Sequence, residues 1–413
     1  MKRSRSRFWL IGLVATAAVL FTFAPAARAQ AVDVTNEQIA AAIKGGQQYL
    51  SSNFVDLGVG YGGYWEGNYS NLASTGSAVA ALLETGAYTN PVYAAQIDKA
   101  ILWILTHVRQ DNGGIYVSND IYETGICLAA LALYGQAKPQ DAAYQSVVQN
   151  AVAYLLAGQN TYDTAPDDPL VNTNTAYGGW GYGQSYSTGT WADMSNTQFA
   201  VMGLFYGSRY LGLTISGQPW ATRVLQYLDA QHNADGSYVY MVGWSYVIKQ
   251  TGGALWCLAM IGQSGLGPGT RAQGVIDWYN TNYNASVYDG TLTNGWETDS
   301  SYFMFAWAKA LTAVVGPANP IGTHNWSQDL KNFVWNALGT KPPVPQTDPV
   351  TACNWSIEYD AVLDTAWALM SLAFADPNVE GTQKFLAENP DTDVSPFNQG
   401  LVTLETSGGV TIS

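Results

Sequence analysis

Asp193-Met194-Ser195-Asn196-Thr197-Gln198-Phe199-Ala200-Val201-Met202-Gly203-Leu204 stands after an aromatic-glycine segment, Tyr177-Gly178-Gly179-Trp180-Gly181-Tyr182. The pair reads as a glycine-rich loop entering an apolar helix. The same order returns five more times. Apolar helices are read around Thr75-Gly76-Ser77, Thr124-Gly125-Ile126, Thr251-Gly252-Gly253, Ser301-Tyr302-Phe303 and Thr365-Ala366-Trp367. Amphipathic helices are expected before them at 36–53, 92–108, 140–156, 220–231, 272–280 and 326–338. Thr75, Thr124, Thr197, Thr251, Ser301 and Thr365 fall at one equivalent position, with spacings of 49, 73, 54, 50 and 64 residues. Long loops at about 159–192 and 339–356 account for the two long intervals.

Six copies of outer helix, glycine-aromatic loop and inner helix are a repeat architecture. A linear stack would need polar capping repeats at its ends. Here the first and last inner helices are apolar nearly all round, and such a helix must be packed on every side. The expected fold is therefore all-α, an α/α toroid of six helical hairpins with glycine-aromatic loops. The Ser, Thr, Asp and Asn residues before the inner helices suit N-capping.

The chain has 413 residues. Lys2, Arg3, Arg5 and Arg7, the apolar run Phe8 to Phe23 and Ala27-Arg28-Ala29 read as a secretory signal over 1–29, cleaved before Gln30. The run of about 16 residues is short against the roughly 20 that span a bilayer. Residues 30–380 are assigned to the toroid and 381–413 to a C-terminal tail. An exported protein, secreted or periplasmic, without a membrane span after cleavage is expected.

The formal net charge is −14, which argues against nucleic-acid binding, since that needs basic patches. Cys127, Cys257 and Cys353 do not make a disulfide framework, and Cys127 and Cys257 sit on apolar helices as small hydrophobes. His107, His232 and His324 include no pair at ligand spacing, so no metal or cofactor is expected.

The hairpins resemble the repeats of the squalene/hopene cyclase and protein prenyltransferase family. The resemblance is carried by Ala192 to Ala200, by Leu363-Asp364-Thr365-Ala366-Trp367-Ala368-Leu369, and by Gln110-Asp111-Asn112-Gly113-Gly114-Ile115-Tyr116, which is similar to a degenerate glutamine-tryptophan repeat. It implies an α/α toroid around a central cavity. The cyclases' Asp-x-Asp-Asp run is represented only by its last member, Asp364, with Leu363 in the proton donor's place. The prenyltransferases' Asp-x-Cys zinc pair is absent. The chain thus diverges from the catalytic members.

Acids gather at the starts of the inner helices. Asp364, Asp360, Asp193, Glu297 and Glu123 are the candidate catalytic groups, with Asp120 and Glu297 at the offset of Asp193 in the second and fifth copies. Acids in a first helical turn also serve the macrodipole and free N–H groups. Trp65, Trp180, Tyr182, Trp191, Trp244, Trp296 and Trp355 are candidate ligand-binding aromatics, as stacking platforms or as helix-end packing. The leading expectation is a central aromatic, acidic cavity holding an isoprenoid-like or glycan ligand. One alternative is a polyprenoid cyclase with Asp364 or Asp360 as proton donor. The other is a glycoside hydrolase or lyase with two of Glu123, Asp193, Glu297 and Asp360 as acid and base.

Overall fold

A computed structural model describes residues 33–163, 173–244, 248–282, 301–357 and 359–376. The signal segment 1–29, the tail 381–413 and the candidates Trp296 and Glu297 lie outside the described residues.

Outer helices are α1 (Asn36–Ser52), α3 (Pro91–Leu105), α5 (Ala142–Gly158), α7 (Pro219–Gln231), α9 (Arg271–Asn282) and α11 (Trp326–Asn336). Inner helices are α2 (Asn71–Glu84), α4 (Asp120–Ala137), α6 (Met194–Tyr210), α8 (Ile248–Met260), α10 (Ser301–Val314) and α12 (Ala361–Ala375). Each inner helix packs on the next, and α12 packs back on α2, so the ring closes. At the seam the Asn68 backbone N–H donates to Asp360 Oδ2 at 3.0 Å. On the outer ring Val34 N–H donates to Asn332 Oδ1 at 2.8 Å.

Pattern explains position. The outer helix α1 buries Ile39, Ala42, Ile43 and Leu50 and turns Asn36, Glu37 and Lys44 outward. The inner helix α12 is buried from Val362 through Ala375, as its lack of a polar stripe requires. The tightest approach is between α4 and α6, where a Cβ on Gly203 would stand 2.8 Å from the Cα of Gly125. Only glycine at both positions lets the two backbones meet there.

The repeated threonine has a specific task. Thr75, Thr124, Thr197, Thr251 and Thr365 each accept, through Oγ1, a backbone N–H from the loop ahead of the helix. The donors are Trp65, Ile115, Trp180, Tyr238 and Trp355, at 3.0, 3.0, 3.1, 3.0 and 3.1 Å. In three copies the loop residue also reaches outward. The Trp65, Trp180 and Trp355 indoles donate to the carbonyls of Leu50, Leu155 and Val334 at 2.6, 2.6 and 2.7 Å. One residue thereby ties the C-terminal end of an outer helix to the first turn of the next inner helix. In the first copy the loop extends to a short antiparallel hairpin, β1 (Phe54–Asp56) and β2 (Gly63–Trp65), where the sequence reading had a loop.

Caps fix where the inner helices begin. Ser70, Asp193 and Asp360 accept first-turn N–H groups of α2, α6 and α12. Gly178, at φ +87°, lies against the Arg223 carbonyl, where a side chain would collide with backbone.

Candidate active site

The sequence predicts a central aromatic, acidic cavity. At the level of Glu84 and Lys309 the axis holds a cavity of about 10 Å³ between α2, α4, α6, α10 and α12, room for about one water. Phe199, Phe305, Trp367, Met202 and Met370 fill the space around it. Two charges are buried there. Lys309 Nζ donates to Glu84 Oε1 at 2.5 Å and to Tyr206 Oη at 2.9 Å, and Tyr206 Oη donates to Glu84 Oε1 at 3.0 Å. The ammonium also faces the rings of Phe374, Phe305 and Tyr206 at 4.4, 5.0 and 5.1 Å. Burial lowers the Lys309 pKa, and the Glu84 carboxylate opposes that shift. No isoprenoid chain fits at this level.

The candidate acids fall into separate environments. Glu123 and Asp364 each directly precede a repeat threonine and do the same work. Glu123 accepts from Ser70 Oγ at 2.5 Å and from the Val117 and Ser118 N–H groups at 2.6 and 3.1 Å. Asp364 accepts from Ser301 Oγ at 2.5 Å and from the Ile357 and Tyr359 N–H groups at 2.7 and 3.2 Å. Both are buried. Each folds its own loop and holds the neighbouring inner helix. Asp360 caps α12 through Oδ1 and closes the ring through Oδ2. An amide at position 364 presents one acceptor where the carboxylate presents two. Asp364→Asn is therefore expected to destabilise by about 1–3 kcal/mol, read as a lowered urea midpoint with the slope unchanged.

Asp193 is also fully buried. Its carboxylate accepts from Asn196 N–H at 2.8 Å, Ser195 Oγ at 2.7 Å and Asn196 Nδ2 at 2.8 Å. Burial raises its pKa, while these bonds and the Tyr240 phenol pull it down. A raised folded pKa means the native state holds that proton more tightly than the unfolded chain. Its contribution is full below the unfolded value of about 3.9 and is lost as pH rises through the folded pKa. The stability of wild type relative to Asp193→Asn should accordingly fall from acid toward neutral pH. Parallel urea titrations check this, and a flat difference contradicts it.

The aromatic candidates divide sharply. Trp65, Trp180 and Trp355 are fully buried, so none offers a face to a ligand; their rings fill the space between the helical layers. Tyr182, Trp191 and Trp244 lie at the surface end of the inner ring. Tyr182 stacks on Trp191 with centroids 5.3 Å apart and planes 21° from parallel, and on Tyr122 at 6.4 Å and 16°. Tyr186 leans on Trp191 at 5.0 Å, and Tyr240 on Trp244 at 5.5 Å. Tyr122 continues inward to Phe199 at 4.6 Å, and Phe199 to Trp367 at 6.3 Å. An aromatic column thus runs from the mouth to the axis.

The backbone places this group. Ile121 N–H donates to the Tyr182 carbonyl at 3.2 Å, and Met194 N–H to the Tyr240 carbonyl at 3.0 Å. The loops before α6 and α8 therefore fold over the N-terminal ends of α4 and α6. Asp120, the first residue of α4, is half-buried and stands against Gly183, the residue after Tyr182, since a Cβ there would lie 3.0 Å from its Oδ2. That oxygen accepts from Tyr154 Oη at 3.2 Å. Burial raises the Asp120 pKa, Tyr154 opposes the shift and Glu123 adds to it.

The group combines Tyr182, Trp191 and Trp244 with Tyr122, Tyr240 and Asp120, which sequence reasoning did not place with them. The available sign was that Asp120 shares the offset of Asp193 from the repeat threonine.

No family model and no curated protein matches the chain. Solved structures do. An inactive variant of an α-1,6-mannanase, GH76A of Salegentibacter sp. HEL1_6, in complex with α-1,6-mannotriose, aligns at a TM-score of 0.51 and 13% identity, over 82% of this chain and 99% of that one. The fold is an (α/α)6 toroid. An unsaturated glucuronyl hydrolase specific for heparin aligns at 0.52 and 13% identity, over 82% of this chain and 96% of that one. A type II terpene cyclase from Scytonema aligns at 0.48 and 14% identity, over 83% and 99%. At these identities the likeness is one of fold, and the function has to be argued from the mouth of the toroid. No helix among the described residues is long and apolar enough to cross a membrane.

Proposed function

We propose that this toroid is an exported carbohydrate-active protein that takes a glycan at the mouth over α4 and α6. The observation that carries the reading is the Tyr182–Trp191 stack with Asp120 against the adjoining Gly183. Sugar rings present apolar C–H faces to aromatic planes and hydroxyls to carboxylates, and this mouth offers both. Asp120 is the described acid with the means for proton transfer. It is half-buried, its pKa is raised, and Tyr154 orients it. Glu123, Asp193 and Asp364 are committed to loop and helix bonds and serve as positioning groups.

The small cavity at the level of Glu84 and Lys309 supports this reading over a cyclase, because polyene cyclisation needs an enclosed volume the size of its substrate. The mannotriose complex of the fold neighbour adds support. Trp191→Ala should weaken glycan binding by on the order of 2 kcal/mol, about 30-fold, as loss of a central aromatic anchor does. Asp120→Asn should leave binding within a few-fold and remove any glycan cleavage. Calorimetric titration and product chromatography measure the two effects. Equal glycan affinity in wild type and Trp191→Ala would remove the stack from the site. As to export, the intact mass of protein recovered outside the cytoplasm should correspond to a chain beginning at Gln30.

A further inference from the structure

The two ends of the toroid differ in charge. Six chain segments lead from an outer helix to the next inner helix: 53–70, 106–119, 159–193, 232–247, 283–300 and 337–360. With the first four residues of each inner helix, their described residues contain eleven Asp and Glu against three bases, Arg109, Lys249 and Lys341. That is a net of −8 among the described residues. The segments that return from inner to outer helices, 85–90, 138–141, 211–218, 261–270 and 315–325, contain one acid, Asp141, and one base, Lys138.

Arg109 and Lys341 are engaged locally. Arg109 lies over the Tyr116 ring at 5.2 Å, with Asp111 at 3.8 Å. Lys341 donates to the Trp335 and Asn336 carbonyls and lies over the Trp335 ring at 5.3 Å. The Tyr182–Trp191 platform therefore sits at the acidic end. Asp120, an acceptor that repels another carboxylate, stands against the adjoining Gly183. Low-dielectric walls of stacked rings focus such a field.

From this asymmetry and the platform together we infer that the mouth selects glycans without acid groups, neutral or amino-substituted, and rejects uronic and sulfated chains. The inference rests on the glycan reading above and sharpens it. A stacking platform alone would accept a uronic sugar as readily as a neutral one. The charge of the surrounding segments makes the difference, acting mainly on encounter and on the desolvation of a ligand carboxylate next to Asp120.

The test is a titration of the full protein with three hexasaccharides of matched length: N-acetylated chitin, its deacetylated form and oligogalacturonate. Each is run at about 10 mM and about 1 M salt, where the Debye length is about 30 Å and about 3 Å. At low salt oligogalacturonate should bind at least tenfold more weakly than the neutral chain. The gap should close severalfold at high salt. The deacetylated chain should lose affinity with salt, and the neutral chain should hardly change. Uronate binding equal to or tighter than neutral binding at low salt overturns the inference and leaves the glycan reading standing. A tenfold gap that does not move with salt also overturns it, since the selectivity would then be steric. Failure of all three to bind, with Trp191→Ala indistinguishable from wild type by fluorescence in their presence, removes the glycan reading and the inference with it.

Discussion

Lys309→Met is expected to lower the unfolding free energy by about 3–5 kcal/mol. The lysine, 1% exposed, bonds to a 6%-exposed Glu84 and to Tyr206. These residues lie on α10, α2 and α6, alternate members of the six-helix ring, so the cluster joins three helices across the axis. Removing the cation leaves a carboxylate buried among Phe199, Phe305 and Trp367 with only a tyrosine hydroxyl as donor. Its desolvation penalty is then uncompensated. Replacing both charges removes the penalty from both sides of the comparison. Glu84→Leu with Lys309→Met should therefore recover most of the loss and can approach wild type. Urea denaturation followed by tryptophan fluorescence reads both variants. A Lys309→Met loss within about 1 kcal/mol, or additive losses in the pair, would show that the cluster does not hold the ring.

Trp180→Ala should cost about 3–5 kcal/mol, while Trp191→Ala should stay within about 1 kcal/mol of wild type. The two residues are eleven positions apart on one loop and sequence composition does not separate them. Trp180 is fully buried, bonded through its backbone N–H to Thr197 and through its indole to Leu155. Truncation there empties the space between α5 and α6 and leaves the Leu155 carbonyl unpaired. Trp191 is half-buried, and its ring contacts are with Tyr182 and Tyr186 of the same loop. Its loss should appear in ligand binding. Thermal melts with and without a bound oligosaccharide separate the effects: the ligand should raise the melting temperature of wild type and not that of Trp191→Ala. Similar stability losses in the two variants would contradict the division of the aromatics.

The fold was legible because helical period and repeat spacing are local features. Six threonine or serine positions sufficed to align the copies, and the structure shows why the hydroxyl recurs: it pins a loop N–H in five of them. The roles of the aromatics were less legible. Whether a loop tryptophan is buried depends on whether its indole reaches an outer-helix carbonyl, a contact set by loop geometry. A clue was nonetheless present. Trp65, Trp180 and Trp355 align with Ile115 and Tyr238 as donors to the repeat threonine. A position that accepts isoleucine is a packing position.

The same comparison sorts the acids. Glu123 and Asp364 share an offset and a set of loop bonds, so they belong to the scaffold. Asp120 shares its offset with Asp193, yet Asp193 is the buried cap and Asp120 the half-buried neighbour of Gly183. That split arises from the fold of the 173–193 segment over α4 and cannot be read from spacing. Lys309 carried a stronger sign. A lone lysine within Ser301–Val314, an otherwise apolar inner helix, must find an anion or lose its proton. Glu84, at the end of another inner helix, is that anion.

Ligand binding at the aromatic mouth, and not in the axis, places opposite demands on the two sets of residues. Calorimetric titration of one neutral oligosaccharide into wild type, Trp191→Ala and the Glu84→Leu/Lys309→Met pair tests this most directly. Binding at the mouth gives about 30-fold weaker affinity in Trp191→Ala and unchanged affinity in the axial pair. Binding that survives Trp191→Ala and fails in the axial pair would place the ligand in the ring instead.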